Sequence, residues 1–314
     1  MHGFTLLGNQ TLRRPMHHHK RDWHNYNKHL VNRGKLHFWI KLDTQWNAPK
    51  CKKNGHPFIY ADELIKAMLY LRFKFHLTLR EVEGFCTSLM EICQKTEKVP
   101  CYTQVCRRMK TLILPKKLLE KRNVTDIVLD TTGLKVYGAG EWRAKRYGGK
   151  ARWRKLHLAM DLKTGTLTIA EVTDEYRHDT TYLEQALQET NKRKGQVLID
   201  GIADSGRCYE LTQKYNKELI TPPKQGAVIR KEDCYRKRNE AVKLIRGLGG
   251  DGLARSIWGK LVGYNRRVEV ESMMARWKGL YGGELRSRTE ERMVKEVKIK
   301  ALMINEMIGK EKNV

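Results

Sequence analysis

The chain has 314 residues, enough for one or two domains with a substantial core, and sets 62 Lys and Arg against 35 Asp and Glu, a formal +27. That excess, present in the first 120 residues as well as the rest, opposes compaction and points to a polyanionic partner. With 40% hydrophobic residues, 7 Trp and 13 Tyr the composition excludes intrinsic disorder, and no apolar run approaches the ~18 residues of a membrane span or, in Met1 to Pro15, the core of a signal peptide.

The seven cysteines (51, 86, 93, 101, 106, 208 and 234) include no Cys-x-x-Cys pair. That pattern argues against a disulfide framework or zinc ribbon and fits a reducing, cytoplasmic setting. His17, His18 and His19, with His24, read as a solvated basic arm rather than a metal site.

In chain order, Ala61 to Phe73 puts Leu64, Met68 and Leu71 at helical spacing. Thr78 followed by Glu81 is a capping-box signal, and Leu79, Val82, Cys86 and Leu89 then share one helical face. After Pro100, a short helix carries Tyr102, Val105, Met109 and Leu112 on one side and Thr103, Gln104, Arg107, Arg108 and Lys110 on the other. Three short helices of which the last shows basic and amide side chains fit a helix-turn-helix-like DNA reader, and equally a helical bundle with a solvated face.

Near residue 122 the period changes. Ile127-Val128-Leu129 before Asp130 reads as a short buried strand, with Thr131-Thr132-Gly133 as a turn. Residues 153–162 alternate with period two, and Thr166 to Thr173 reads as the returning strand. A helix at about 179–192, a strand from Gln196 to Asp200, a helix from about 205 and a final helix over about 284–309 follow. This order predicts an α/β fold, a mixed sheet flanked by helices over 122–314, after an all-helical region over 1–121. A basic stretch at about 224–262, partly helical and holding Gly247-Leu248-Gly249-Gly250, interrupts the pattern.

Carboxylates at strand ends are the place to look for metal-assisted chemistry on DNA, because two cations about 3.5–4 Å apart can stabilise the attacking and leaving oxygens. Asp130 and Asp200 occupy equivalent positions after apolar strands, although an Asp there also serves as a turn former. Asp126 is four strand residues, about 13 Å, from Asp130 and cannot share its ion; Asp204 reads as a cap for the helix starting near Ser205. A third acid, Glu271, shares a helical face with Tyr264, Arg267 and Lys278, while Glu269 points away. A solvated Arg267–Glu271 pair explains that spacing equally well.

Asp130, Asp200 and Glu271, with Tyr-x2-Arg-x3-Glu-x6-Lys over 264–278, resemble the DDE transposases of bacterial insertion sequences, the insertion sequence five family most closely. Similar blocks run along most of the chain: Tyr26-Asn27 to Gly34, Leu79-Arg80 to Leu89, Val99 to Thr103 with Arg107-Arg108, Asp130 to Gly138 with Glu141-Trp142, Trp153 to His157, and Asp200-Gly201 to Asp204. Thr131 stands where that family often has Ser.

The resemblance implies a ribonuclease-H-like catalytic domain in which Asp130, Asp200 and Glu271 bind two Mg²⁺ ions, with Mn²⁺ as a substitute. It implies strand cleavage at the inverted repeats of a mobile element and joining to target DNA, within a homodimeric synaptic complex in the bacterial cytoplasm, with no membrane partner. Tyr264, Arg267 and Lys278 would contact DNA, and Trp258 is a candidate wedge between bases. A non-catalytic DNA-binding remnant and a nuclease that never joins strands are the competing readings.

Overall fold

The computed structural model describes residues 22–40, 44–49, 57–119, 123–138, 146 and 153–312. His17 to His19, Cys51, Glu141 and Trp142 lie outside these residues. The chain divides into two compact units, 1–42 and 43–314.

In the first unit, α1 (Trp23–Gly34) starts at Asp22, whose carboxylate accepts from the Asn25 amide at 3.1 Å. A short helix, α2 (Leu36–Trp39), follows, and the buried Trp39 donates its indole N–H to the Arg33 carbonyl at 2.8 Å.

The second unit begins with α3 (Asp62–Lys74), α4 (Leu79–Ile92) and α5 (Tyr102–Thr111). The capping box read at Thr78 and Glu81 forms. Almost every residue of α3 from Leu64 to Phe73 is buried, and the helix packs on α4, α5 and the long C-terminal helix. That shared apolar surface is why these helices belong to the same compact unit as the sheet, where the change of period at 122 had placed a boundary.

The sheet contains β1 (Ile127–Val136), β2 (Trp153–Asp161), β3 (Leu167–Thr173), β4 (Gly195–Leu198), β5 (Lys217–Ile220) and a short β6 (Glu284–Leu285). Its order is β3-β2-β1-β4-β5, with β6 also on β1. The β1–β2 and β2–β3 pairs are antiparallel, whereas β1–β4, β4–β5 and β1–β6 are parallel. Helices α6 (Leu183–Gln188) and α7 (Gly206–Lys214) cover one face, where Leu183, Leu187, Cys208 and Tyr209 pack on Ile127, Leu129, Val197 and Ile199. The alternate residues Val128, Leu158 and Leu198 are buried on the opposite face. Two helices, α8 (Arg236–Gly247) and α9 (Gly252–Val262), fill the basic interruption. A 3₁₀ turn at Tyr264–Arg267 leads into α10 (Val268–Tyr281), which contacts β1 and β2, and α11 (Glu290–Lys312) lies along β3. A mixed sheet flanked by helices is consistent with a ribonuclease-H-like domain.

One expected turn is strand. Thr131-Thr132-Gly133 continues β1, paired with His157, Leu156 and Lys155. Both threonines are β-branched and suit a pleated edge, and Gly133 leaves room for the Trp153 ring, whose Cε3 would stand 3.1 Å from an added Cβ.

Candidate functional site

The parallel register sets the first two acids. Ile127 and Val128 pair with Val197 and Leu198, so Asp130 and Asp200 each stand two residues past the last paired position, on the same face of adjacent strands. There β4 stops while β1 runs on with β2, so Asp130 projects from mid-strand rather than a strand end. Asp200 caps the next 3₁₀ turn, accepting from the Ile202 amide at 3.3 Å, and its carbonyl accepts the Thr221 hydroxyl at 2.5 Å. Thr221 directly follows the apolar end of β5, as Asp200 follows the apolar run Val197-Leu198-Ile199.

Arg267 joins the third acid to these two. Its Nη2 donates to Asp130 Oδ2 at 3.0 Å and its Nη1 to Glu271 Oε1 at 2.5 Å, while its buried Nε makes no hydrogen bond. The Asp200 charge also reaches this guanidinium. Burial opposes the Arg267 charge, but Asp130, Tyr264, Glu271 and Asp200 together raise its pKa. Burial likewise raises Asp130, helped by Asp200 and opposed by Arg267 and the Thr131 amide. Burial also raises Tyr264, with the three acids adding to it against Arg267, so its phenol stays neutral at ordinary pH. Arg266 fixes the turn: it pairs with Glu269 at 3.2 Å and donates to the Leu162 carbonyl at 2.9 Å.

The acids thus gather about one guanidinium rather than one point, and among the described residues no three His, Cys, Asp or Glu side chains are set together as a metal cage. The donor chemistry fits a hard divalent cation: three carboxylates, all oxygen, against a single Arg267 charge.

Several expected contacts lie elsewhere. Lys278 is two turns further along α10, in a separate cleft with Lys135, Trp153 and Arg286. Trp258 is buried, 5.7 Å from the Tyr264 ring between centroids, and cannot wedge between bases from that position. Arg108 is buried too, donating to the Tyr60 carbonyl at 2.8 Å, pairing with Asp62 and stacking over Phe58; Val105, Met109 and Leu112 place it on the inward stripe of α5, not the outer face. Gln104 Oε1 accepts the Cys101 amide N–H at 2.9 Å as a helix cap. Thr103, Arg107 and Lys110 remain exposed, with Lys110 paired to Glu291 at 2.8 Å.

Asp204 is not a helix cap. It is buried, accepts from Arg238 Nε at 2.6 Å, the Tyr209 hydroxyl at 3.1 Å and the Lys224 amide at 2.8 Å, and so ties α8 to the end of β4. Asp126, as expected, serves apart from Asp130: it accepts from the Gln196 amide at 2.8 Å and positions β4.

A transposase DDE domain model matches residues 125–305, more than half of the chain, and a second such model matches residues 31–139. The chain belongs to the DDE transposase family. An uncharacterised protein of Aquifex aeolicus (strain VF5) is 28% identical over 214 residues, covering 61% of this chain and 64% of the relative. The chain therefore spans somewhat less than two thirds of that relative's length. DDE transposase domains generally use divalent metal ions. No described helix is long and apolar enough to cross a membrane.

Proposed function

We propose that this chain is a transposase that binds the terminal inverted repeats of an insertion sequence of the five family, cuts the strands there and joins the freed 3′ ends to target DNA as a homodimer. Asp130, Asp200 and Glu271 are the catalytic carboxylates and would hold Mg²⁺, or Mn²⁺ in its place. Cations bound there supply Lewis-acid stabilisation of the attacking and leaving oxygens of the phosphodiester.

The carrying observation is the Arg267 guanidinium bonded to Asp130 and Glu271 with Asp200 within electrostatic reach, three acids around one cation at a seam of a +27 chain. Arg267 opposes the upward push that burial gives the Asp130 carboxyl, and its planar fork beside the acids suits phosphate oxygens. Tyr264, neutral and half-buried next to Arg267, offers a hydroxyl donor to the same strand. Thr103, Arg107 and Lys110 on the exposed side of α5 supply further contacts to the duplex.

The test is a magnesium-dependent cleavage assay on a duplex carrying the element end. Asp130→Asn, Asp200→Asn and Glu271→Gln should each lower cleavage by at least about 10³-fold while end binding is retained. Cleavage that survives in any one of them removes that residue from the catalytic set. Joining of a pre-cut 3′ end to plasmid distinguishes a transposase from a nuclease of the same fold.

A further inference from the structure

Asp200 stands just beyond the backbone pairing of the sheet. The last bond runs from the Ile199 amide to the Ile220 carbonyl at 3.3 Å, and the chain then turns through the 3₁₀ residues Gly201–Ala203 to Asp204. Apolar packing on that turn is thin, with Ala203 buried and Ile202 44% exposed. Asp130 is held otherwise, inside the β1–β2 ladder. What aims Asp200 is therefore polar, and it comes from outside the turn.

The segment that follows β5 grips both ends of the turn. At its start, the buried Thr221 hydroxyl donates to the Asp200 carbonyl at 2.5 Å. At its end, the Lys224 amide donates to Asp204 Oδ2 at 2.8 Å, and Arg238 Nε on α8 donates to Asp204 Oδ1 at 2.6 Å. Asp204 and Arg238 are both buried, and Arg238 Nη1 also donates to the Val228 carbonyl at 2.8 Å. Between the two grips, Arg255 on α9 donates to the Pro223 carbonyl at 2.7 Å. The two helices of the basic interruption thus hold the frame from which Asp200 projects.

Desolvation offsets much of the attraction in a buried ion pair, so stability is not its main contribution. It does fix geometry: Asp204 has donors from Arg238, the Tyr209 hydroxyl and the Lys224 amide, which leave its carboxylate one orientation. We propose that Thr221 and Arg238 are positioning residues, which hold the two ends of this turn so that Asp200 faces Asp130 across a shared divalent cation. The assignment rests on the catalytic reading of Asp200. Both residues act on the cation through the backbone of residues 200–204, Arg238 by way of Asp204.

The test is Mn²⁺ binding to the full chain without DNA, read from the electron paramagnetic resonance signal of the free ion, with melting followed in EDTA. Thr221→Val removes the hydroxyl at nearly constant volume. The double variant Asp204→Leu, Arg238→Met replaces the buried pair with apolar side chains, an exchange that other folds tolerate. Each should weaken Mn²⁺ binding about tenfold, as is usual when a group that orients a metal ligand is lost. Asn239→Ala frees the Arg230 backbone from α8 without touching the turn and should stay within about twofold of the parent. Parental Mn²⁺ affinity in Thr221→Val, or in a double variant that melts like the parent, overturns the proposal, as does an equal loss in Asn239→Ala. If the double variant does not fold, Arg238→Lys replaces it. That variant keeps the buried charge but cannot reach Asp204 and the Val228 carbonyl together, and parental affinity in it overturns the role of Arg238 equally. The catalytic reading fails separately: Asp200→Asn would then bind Mn²⁺ like the parent, whatever Thr221→Val does.

Discussion

Two ion clusters in the same unit are built on opposite terms. On α11, Glu296 is fully buried and accepts from Lys300 Nζ at 2.6 Å, the Ser287 amide at 2.8 Å and the Arg286 amide at 3.1 Å. This carboxylate meets a buried ammonium, with the Arg72 guanidinium also in electrostatic reach, and the amides take its remaining lone pairs. Around Arg267 the count does not close: Asp130, Asp200 and Glu271 share one guanidinium, and the Glu271 side chain is half exposed. A cluster that serves the fold is neutralised within the chain. One left with surplus negative charge, in a protein carrying +27, is a place where a cation from outside would be held.

The first way to break this contrast is to remove one acid from each cluster. Glu296→Ala leaves Lys300 charged in an apolar interior and should cost about 3–5 kcal/mol of unfolding free energy. Asp130→Asn relieves a carboxylate whose charge is already disfavoured by burial and by Asp200, and should leave stability within about 1 kcal/mol of the parent. Urea unfolding of both variants, without divalent ions, measures the difference; equal losses would erase the distinction.

Acid sharpens it. Burial pushes the Glu296 carboxyl upward, but Lys300 and the donors from Ser287 and Arg286 outweigh burial and hold it below the ordinary value. On lowering the pH the unfolded chain therefore takes up this proton first, so the Glu296 contribution is complete above about pH 4.5 and is lost below it, as pH falls toward and through the folded-state value. Melting temperature between pH 6 and 3 should fall more steeply in the parent than in Glu296→Gln. Parallel curves would show that the buried pair carries no linkage.

At the open cluster, Arg267→Ala should lower stability by about 1 kcal/mol in EDTA, because the acids then face one another without a cation. Millimolar Mg²⁺ should raise the melting temperature of this variant more than that of the parent, by binding the folded form. Equal shifts in the two would mean that Arg267 does not stand where the ions bind.

How much of this was legible depended on the distance in sequence over which each fact is decided. Asp130 and Asp200 could be found because two apolar runs of similar length end on the same residue type, and parallel pairing then sets them at the same height. The length of β1 could not: Thr131-Thr132-Gly133 has the composition of a turn, and only pairing with Trp153 to His157 makes it strand. The burial of Arg108 has a local signal, since 105, 108, 109 and 112 form one helical stripe, but the partner that makes it tolerable, the partly exposed Asp62 carboxylate 46 residues earlier, is set by tertiary packing. The burial of Trp258 arises from the docking of α9 against the 3₁₀ turn, a tertiary event with no local cue. Lys278 shares a helical face with Glu271, but same-face spacing does not say that two turns of helix carry a side chain into a different cleft.

The smallest expected effect concerns a third kind of ion pair, neither closed nor open. Lys110 on α5 and Glu291 on α11 meet at 2.8 Å with both side chains more than half exposed, so solvent screens the attraction and ordering two long side chains offsets much of it. Lys110→Ala should change unfolding free energy by less than about 0.5 kcal/mol. If α5 lies along a duplex, the same substitution should lower the slope of log affinity against log salt by about 0.9, since one released counterion is lost whatever the sequence bound. Arg107→Ala, on the same exposed side, should give a similar change, and the two should add. Arg108→Ala should behave in reverse, with a large loss of stability and no loss of slope in the fraction that folds, because its charge is already committed to Asp62. A slope that falls for Arg108→Ala and not for Arg107→Ala would mean that the helix turns its other side to DNA, which would require α5 to leave the core it shares with α3 and α11.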